Sequence, residues 1–313
     1  MTSGAPAAHG AAELAGVLVV DKPAGPTSFD IVRQVRRALH IRRVGHGGTL
    51  DPMATGVLPI CLGEATKLAQ FLLDADKEYQ ATLCFGVETD TYDATGAVVE
   101  SRGIAGLTPA RVADALGAFR GSIRQVPPRF SALKLRGRPL YDYARAGEEV
   151  DPAARTVVIH DLSVVDWTGP DTLVLRVRCS KGTYIRSLAF DLGRAVGAGA
   201  HLAALCRTRS GPFHLADACT LAEIERAPLV GLSQALGHLP VLHADSAAVL
   251  QLRQGQRVAR AALQPPQRGE PLPAEPSNTR FQVVRADGTL VAVADVDSSA
   301  GVDARLRTVR VFN

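Results

Sequence analysis

The sequence predicts a mixed α+β fold followed by a small β-rich domain. Between residues 16 and 240, short runs of aliphatic and β-branched residues alternate with segments whose apolar residues recur at helical spacing. From about residue 241 the pattern changes to short strands and turns, with a proline-rich stretch, LQPPQRGEPLPAEPSN, at 263–278. The 313 residues, 46% of them hydrophobic, suffice for one large core and an appended domain. We therefore expect a main domain at 16–240 and a second domain at 241–313.

The first strand is predicted at GVLVV, residues 16–20, because the run is short and rich in valine. A helix should follow it, capped by Ser28, since apolar residues recur at helical spacing from Ile31 to Leu39. The last helix of the main domain should open at Thr183 and close at a glycine near residue 197. The remaining predicted elements are helices at 64–73 and 108–119 and strands at 77–86, 156–167 and 172–180.

Several features point to a cytoplasmic protein. The first fifteen residues, expected to be a disordered leader, lack the basic start and the apolar stretch of a secretory signal. No run is long and apolar enough to predict a membrane span. The cysteines are odd in number, far apart and without neighbouring histidines at metal-ligand spacing, so we expect small buried thiols and no metal site. They are Cys61, Cys84, Cys179, Cys206 and Cys219.

Positive charge is concentrated in two segments. Residues 33–43, RQVRRALHIRR, carry a net charge of +5, and residues 124–145 carry another +5, whereas the whole chain has +4. A single basic run is usually a solvated surface, but two runs suggest a polyanionic partner. The second run also contains Phe130, Tyr141 and Tyr143, whose rings could stack on unpaired bases. The charge pattern therefore favours a nucleic acid.

Common motifs for nucleotide cofactors and hydrolytic chemistry are missing. The sequence contains no phosphate-binding GxxxxGK[ST] loop, no GxGxxG between a strand and a helix, no GxSxG and no HExxH. A carboxylate-based glycoside hydrolase would require a second, suitably placed carboxylate. Glu64, Asp90 and Asp93 are candidates by residue type, but no spacing singles one out.

One carboxylate stands out from its surroundings. Asp51 lies in GHGGTLDPMATGVLPI, residues 45–60, a glycine-rich stretch in which Pro52 pushes the preceding residue towards an extended backbone. Glycines permit positive φ angles and allow another chain to approach closely. Asp51 could instead cap a helix with proline at its first position, but Thr55 and Gly56 leave that helix little length. Asp51 is therefore either a turn residue or a carboxylate presented for chemistry.

A longer segment around Asp51, GHGGTLDPMATGVLPICLGEATK at 45–67, resembles the catalytic signature of the TruB family, the tRNA pseudouridine-55 synthases. Four other segments resemble further blocks of that family, in family order, so the resemblance spans residues 16 to about 210. They are VVDKPAGPTSFDIV at 19–32, DKEYQATLCFGVETDTYDATG at 76–96, PPRFSALKLRGRPLYDYARAG at 127–147 and CSKGTYIRSLAFDLG at 179–193.

The resemblance implies a fold, a substrate and a reaction. The fold is the pseudouridine synthase fold, a central, mostly antiparallel mixed sheet flanked by helices, with a PUA-like RNA-binding domain at the C-terminus. The reaction isomerises uridine 55 in the T-loop of tRNA to pseudouridine after the base is flipped out of its stack. The family acts without a cofactor or a metal, and we expect a monomer that binds the T-arm stem-loop.

Six positions match site residues of the family. Asp51 matches its essential aspartate, which could act as a nucleophile at ribose C1′ or as a base at C2′. Arg186 matches the arginine that pairs with this carboxylate, although on the residues alone it could equally form a surface ion pair with Asp191. Tyr79 matches the active-site tyrosine, a stacking surface for uracil and a candidate proton acceptor, with a core aromatic as the alternative. Tyr184 and Leu205 match pocket-lining positions, with core packing as the alternative for both. His46 matches the substrate-binding histidine that fills the stack vacated by the flipped nucleotide.

The chain departs from the family pattern at Gly47, where the family often has threonine after the histidine. A more mobile loop is one expected consequence. Two other functions remain open: a tRNA-binding or RNA-folding module without catalysis, and a relative of the guide-RNA-dependent pseudouridine synthases. The presence of Asp51, Arg186 and Tyr79 argues against the first, and the lack of long basic tails argues against the second.

Overall fold

The computed structural model describes residues 14–264, 280–297 and 305–312. Residues 1–13 of the expected leader and residues 265–278 of the proline-rich stretch lie outside these ranges. Among the described helices, none combines the length and the apolar character that crossing a membrane requires.

The described residues form eighteen strands and seven α-helices. The strands of the first half are β1 (Gly16–Lys22), β2 (Val44–His46), β3 (Thr55–Leu62), β4 (Lys77–Phe85), β5 (Val87–Thr89), β6 (Val98–Ser101), β7 (Gly121–Gln125), β8 (Lys134–Leu135) and β9 (Arg138–Pro139). Those of the second half are β10 (Arg155–Trp167), β11 (Thr172–Cys179), β12 (Ala200–Ser210), β13 (Phe213–His214), β14 (Val241–His243), β15 (Val258–Ala259), β16 (Arg280–Val284), β17 (Leu290–Asp297) and β18 (Arg305–Val311). The helices are α1 (Ser28–Ala38), α2 (Ala69–Asp74), α3 (Pro109–Leu116), α4 (Leu140–Arg145), α5 (Ile185–Ala195), α6 (Leu232–Ala235) and α7 (Ser246–Arg253).

A nine-stranded sheet forms the centre of the main domain. Seven strands follow the order β1-β3-β12-β4-β11-β10-β7, with β2 also paired to β3 and β13 to β12. All of these pairs are antiparallel except β3 with β12, which is parallel. Helices α3 and α5 contribute buried apolar residues to the same core as the sheet. The predicted mixed α+β fold with a mostly antiparallel sheet is confirmed.

The central strand β4 shows why the apolar pattern was informative. Tyr79, Ala81, Leu83 and Phe85 are all buried, whereas the residues between them are at least partly exposed, as the alternation predicted. The strand lies between β12 and β11, so its alternate side chains face the core. The helix predicted at 64–73 is divided into a 3₁₀ segment, Gly63–Leu68, and α2.

Both predicted N-terminal helix caps were wrong by one position, whereas α5 ends before Gly197, at φ 74°, as predicted. Thr27, not Ser28, caps α1, where its side chain accepts a hydrogen bond from the N–H of Asp30. Ser28 is buried instead, and its hydroxyl accepts the N–H of Leu50 at 2.9 Å, which ties the helix start to the loop that carries Asp51. At α5 the hydroxyl of Thr183 donates to the carbonyl of Ser180, and the helix begins only at Ile185.

A second sheet contains five strands in the order β14-β16-β17-β18-β15. It has a core of its own, and it also shares an apolar cluster with β1, β3 and α2 of the main domain. Members of the shared cluster from the main domain include Val17, Val57, Phe71 and Leu72. Those from the second sheet are Val284, Leu290 and Val293, joined by Phe312 directly after β18. The five-stranded sheet therefore packs directly against the main domain.

Candidate active site

Asp51 lies in the loop between β2 and β3, at a turn and not at a helix start. The N–H of Ala54 donates to the carbonyl of Asp51 at 3.1 Å, and β3 begins at the next residue. The helix-cap interpretation of Asp51 is therefore wrong. The loop returns to the sheet through Gly56, at φ 99°, where a Cβ would lie 2.3 Å from the carbonyl oxygen of Arg207. Glycine at 56 allows the backbones of β3 and β12 to approach each other.

The carboxylate of Asp51 is held by the guanidinium of Arg186, in the first turn of α5. The Arg186 Nε lies 2.8 Å from Asp51 Oδ2, and Arg186 Nη2 lies 3.1 Å from Asp51 Oδ1. The side chain of Arg186 is 6% exposed and that of Asp51 is 35% exposed. A fork of this kind fixes both the position and the orientation of a carboxylate. The alternative surface ion pair with Asp191 is wrong, because Arg186 points into the protein.

Three further oxygens surround the same guanidinium. Arg186 donates to the carbonyls of Thr91 at 3.3 Å and Phe130 at 3.0 Å, and its Nε lies 3.7 Å from Asp93 Oδ2. Asp93 is buried, and its Oδ1 accepts the hydroxyls of Thr91 and Thr95. Arg186 is thus shared by two carboxylates. The sequence offered Asp93 only as one of three acids of the right type.

The surroundings of Asp51 make its carboxyl harder to ionise. Withdrawal from bulk water raises the pKa of Asp51 above its ordinary value, and the nearby Asp93 acts in the same direction. Arg186 and, more weakly, Lys22 oppose this rise by favouring the carboxylate. Loss of Arg186 would therefore raise the pKa of Asp51 further.

The loop that carries Asp51 is also held by a buried lysine, Lys22, which the sequence did not suggest as a site residue. The Nζ of Lys22, at the end of β1, donates to the carbonyls of Pro23 at 2.8 Å, Pro52 at 3.1 Å and Ala54 at 2.7 Å. Its side chain is fully buried, and burial lowers the pKa of Lys22 to about 8, although the charge of Asp51 partly restores it. Lys22 therefore holds the carbonyls of Pro52 and Ala54, shortly after Asp51, and adds positive charge near the Asp51 carboxylate.

Arg207 is a second buried cation that holds the same loop, and the sequence did not suggest it as a site residue either. Its Nε donates to the carbonyl of Val57 at 2.7 Å, Nη1 to that of Thr49 at 3.1 Å and Nη2 to that of Gly48 at 3.3 Å. The side chain is 1% exposed. Because these carbonyls lie before and after Asp51, one guanidinium fixes both ends of the loop.

A cavity of about 370 Å³ opens above Asp51 and Arg186, within the size range of small-ligand sites. Three residues suggested by the family resemblance line it together with this pair, namely Tyr79, Tyr184 and Leu205. Burial raises the pKa of the Tyr79 hydroxyl, an effect that Arg207 partly opposes, so the phenol stays protonated at neutral pH. A protonated phenol is a better hydrogen-bond donor than proton acceptor.

His46 lies apart from the side chains that line this cavity. It ends β2, where it pairs with Ile60, and burial lowers the pKa of its imidazole. Its Nδ1 is buried and has no hydrogen-bond partner among the described residues. The structure thus brings five of the six predicted site residues to one cavity and places His46 in the preceding strand.

The two basic segments differ in their relation to the cavity. All five arginines of residues 33–43 are exposed, along α1 and the turn after it. The second segment, residues 124–145, reaches the cavity itself, which Ser131, Ala132 and Leu133 line. The carbonyl of Phe130 accepts a hydrogen bond from Arg186. Within the described ranges, no group of three His, Cys, Asp or Glu side chains could hold a metal ion.

Comparisons with known proteins find similar sequences over most of the chain. The family model described as "TruB family pseudouridylate synthase (N terminal domain)" matches residues 36–185, and that of the "tRNA pseudouridylate synthase B C-terminal domain" matches residues 186–236. Proteins named tRNA pseudouridine synthase B are similar over most of the chain. The one from Aromatoleum aromaticum is 50% identical over 78% of this chain and 81% of its own, and that from Cupriavidus metallidurans is 45% identical over 91% of both.

Solved structures are similar at lower identity. A Cbf5-Nop10-Gar1 complex contains a chain with a TM-score of 0.73 and 28% identity, covering 95% of this chain and 84% of that one. An H/ACA RNP bound to a substrate RNA containing 2′-deoxyuridine gives a TM-score of 0.71 and 26% identity, covering 95% and 85%.

Proposed function

The chain belongs to the TruB family of pseudouridylate synthases, and we propose that it isomerises uridine 55, in the T-loop of tRNA, to pseudouridine. The isomerisation of uridine to pseudouridine is the activity of this family. The observation that carries the proposal is the Asp51 carboxylate, held on both oxygens by Arg186 at the bottom of a cavity sized for a small ligand.

The reaction requires one bond between base and ribose to be exchanged for another. The bond from uracil N1 to ribose C1′ breaks, the base turns, and a bond from C5 to C1′ forms. The proton on C5 is lost to solvent, and N1 gains a proton. Asp51 would start this sequence either by attack on C1′ or by removal of the proton at C2′, and both routes need its ionised form. Arg186 and Lys22 supply positive charge that favours this form.

The detached base has to be retained and shielded from water, since hydrolysis at C1′ would leave an abasic site. The aromatic ring of Tyr79 offers a stacking surface, while Leu205 and Tyr184 provide apolar walls. The Tyr79 hydroxyl, kept protonated by burial, can donate a hydrogen bond to a uracil carbonyl.

Recognition of the T-arm would rest on shape, phosphate contacts and the extruded base, because the deep major groove of A-form RNA is closed to side chains. The exposed arginines of residues 33–43 that have no ion pair within the described residues, Arg36, Arg37 and Arg42, offer the phosphate contacts. We further propose that the protein acts as a monomer in the cytoplasm. In support, the described chain supplies every residue of the site, and its five cysteines are free, as suits a reducing compartment.

The guide-RNA-dependent alternative has weaker support. The chains in the H/ACA structures are 25–28% identical to this one, whereas proteins named tRNA pseudouridine synthase B reach 50%. A purely RNA-binding role would not explain why Asp51 is paired with Arg186 in a cavity. It would also not explain why two buried cations, Lys22 and Arg207, hold the loop around Asp51.

Release of tritium from C5 of uridine tests the proposal. Purified protein is mixed with unmodified tRNA or with an isolated T-arm stem-loop, each labelled at C5, and tritium is counted in water. We expect release from both RNAs, and none from a tRNA with uridine 55 replaced by cytidine. Asp51→Asn keeps the shape of the side chain and should bind RNA normally, but reduce the rate at least about 10²- to 10⁴-fold. Appreciable release by Asp51→Asn would show that Asp51 is only a turn residue.

A further inference from the structure

Helix α2 lies between the C-terminal five-stranded sheet and the catalytic cavity. Four consecutive residues of this helix face different partners: Phe71 and Leu72 are buried, Leu73 lines the cavity, and Asp74 forms two ion pairs. The helix therefore touches both the C-terminal sheet and the parts of the main domain that build the site.

On the side of the C-terminal sheet, Arg280 of β16 is the main polar contact. Its guanidinium carbon lies 5.2 Å from the ring centroid of Phe71, and its Nη1 lies 3.6 Å from Asp74 Oδ2. Asp295 of β17 accepts two hydrogen bonds from the same guanidinium, from Nε to Oδ1 at 2.8 Å and from Nη2 to Oδ2 at 3.3 Å. These bonds fix Arg280 within its own sheet. A partly exposed ion pair alone contributes little to stability. The stacking on Phe71 and the shared apolar cluster add to it.

On the side of the cavity, Leu72 packs against the loop at 47–54, between β2 and β3, which carries Asp51. A Cβ built at Gly47 would lie 2.9 Å from both Cβ and Cδ1 of Leu72, so the backbone of Gly47 is in close contact with the Leu72 side chain. Gly47 is buried, its N–H donates to the carbonyl of Pro59 at 2.8 Å, and it precedes Asp51 by four residues. A shift of α2 would thus displace the loop, because a packed interior transmits strain.

A third contact joins α2 to the other wall of the cavity. Asp74 Oδ1 lies 2.7 Å from Nζ of Lys181. Lys181 belongs to the loop at 180–184, which lines the cavity and leads into α5, where Arg186 is placed. The Asp74 carboxylate consequently links Arg280 to the segment that positions the partner of Asp51.

We propose that the C-terminal sheet positions the catalytic residues through α2, with Arg280 and Asp74 as positioning residues. Every residue assigned to the chemistry precedes residue 241, so an RNA-binding tail alone would not affect the chemical step. Small displacements of a catalytic group can cost about 100-fold in rate. The inference rests on the proposed function of Asp51 for its kinetic consequences, whereas its structural consequence can be measured without any substrate.

Three variants of the full-length chain test this coupling. Arg280→Met keeps the length of the side chain but removes its charge, Arg280→Lys keeps the charge, and Asp74→Asn removes both ion pairs of α2. Arg253→Ala, on an exposed position of α7, is the matched control. The measurements are hydrogen exchange of the peptide at 45–55, the single-turnover rate at saturating tRNA, the tRNA dissociation constant and the melting temperature.

We expect Arg280→Met and Asp74→Asn to accelerate exchange at 45–55 and to lower the single-turnover rate about 3- to 10-fold. The tRNA dissociation constant should change less than twofold, Arg280→Lys should restore part of the rate, and the control should change neither rate nor exchange. A weakened tRNA affinity with unchanged rate and exchange would make Arg280 an RNA contact and overturn the proposal. Faster exchange without loss of rate would confine the coupling to loop stability and also overturn it. Absence of activity in the wild type would instead refute the proposed function.

Discussion

Asp51 and Asp93 share one guanidinium. Arg186 lies 2.8 Å from an oxygen of Asp51 and 3.7 Å from an oxygen of Asp93, and it separates the charges of two carboxylates that would otherwise repel each other. Asp93 is buried and satisfied by threonine hydroxyls, whereas Asp51 is open to the cavity. This asymmetry gives the two acids different roles: Asp93 orients Arg186, and Asp51 can meet a substrate.

Removal of Arg186 should shift the acid limb of the pH profile. In the proposed mechanism activity needs ionised Asp51, so the rate falls as the pH decreases through the pKa of Asp51, which burial raises and Arg186 lowers. In Arg186→Ala the pKa of Asp51 rises further, so the acid limb moves to higher pH. The rate at neutral pH should fall at least about 100-fold. Arg186→Lys should recover only part of the wild-type rate, because an ammonium group cannot donate to both oxygens of Asp51 in the fixed geometry of a guanidinium. The measurement is the single-turnover rate between pH 5 and 9.

Asp93→Asn provides the control for this shift. Combined with Arg186→Ala, it removes the second charge that raises the pKa of Asp51 and should return the limb towards lower pH. An acid limb at the same pH in wild type and Arg186→Ala would mean that another group controls the profile.

Lys22 should produce a decline in activity at alkaline pH. Burial lowers its pKa to about 8, so the ammonium that faces the Asp51 loop loses its charge as the pH rises through that value. Lys22→Met should lower the rate at pH 7 about tenfold, because two loop carbonyls lose a charged donor. It should also abolish the alkaline decline. Burial lowers the pKa of Lys77 to about 8 as well, so a decline that persists in Lys22→Met would point to Lys77.

The sequence revealed some parts of the site more readily than others, for physical reasons. The turn at Asp51 could be predicted because glycine and proline constrain the backbone locally. Arg186 lies 135 residues away from Asp51, and the family resemblance, not any local pattern, paired the two. Lys22 and Arg207 were missed because their partners are backbone carbonyls, which every residue carries and which leave no mark in a sequence.

The choice between Thr27 and Ser28 as the cap of α1 shows the same limit. Both residue types cap helices well, so local preference cannot separate them. Tertiary structure decides, since Ser28 is engaged by the backbone of Leu50, twenty-two residues further on.

Three exposed arginines should govern the salt dependence of tRNA binding. Arg36, Arg37 and Arg42 have no ion pair among the described residues, whereas Arg43 lies 2.9 Å from Glu64. Replacing the three with alanine should weaken affinity and reduce the slope of log affinity against log salt by about 0.7 to 0.9 for each lost phosphate contact. Arg43→Ala is the matched control and should change the slope least. An unchanged slope in the triple variant would assign these arginines to a solvated surface without RNA contacts.

Gly47 should resist replacement because of Leu72, and not because the loop needs mobility. Its N–H is bonded to Pro59, and a Cβ would meet Cβ and Cδ1 of Leu72 at 2.9 Å. Gly47→Thr, which introduces the threonine that the family resemblance leads us to expect here, should therefore destabilise the protein by about 1–3 kcal/mol through overpacking. Leu72→Ala alone should cost about 2–5 kcal/mol, but the double variant should cost less than the sum, since the cavity accommodates the threonine. Urea unfolding of the four proteins measures this coupling. If glycine serves only to keep the loop mobile, Gly47→Thr should stabilise the fold by restricting the unfolded chain, and the two substitutions should be additive.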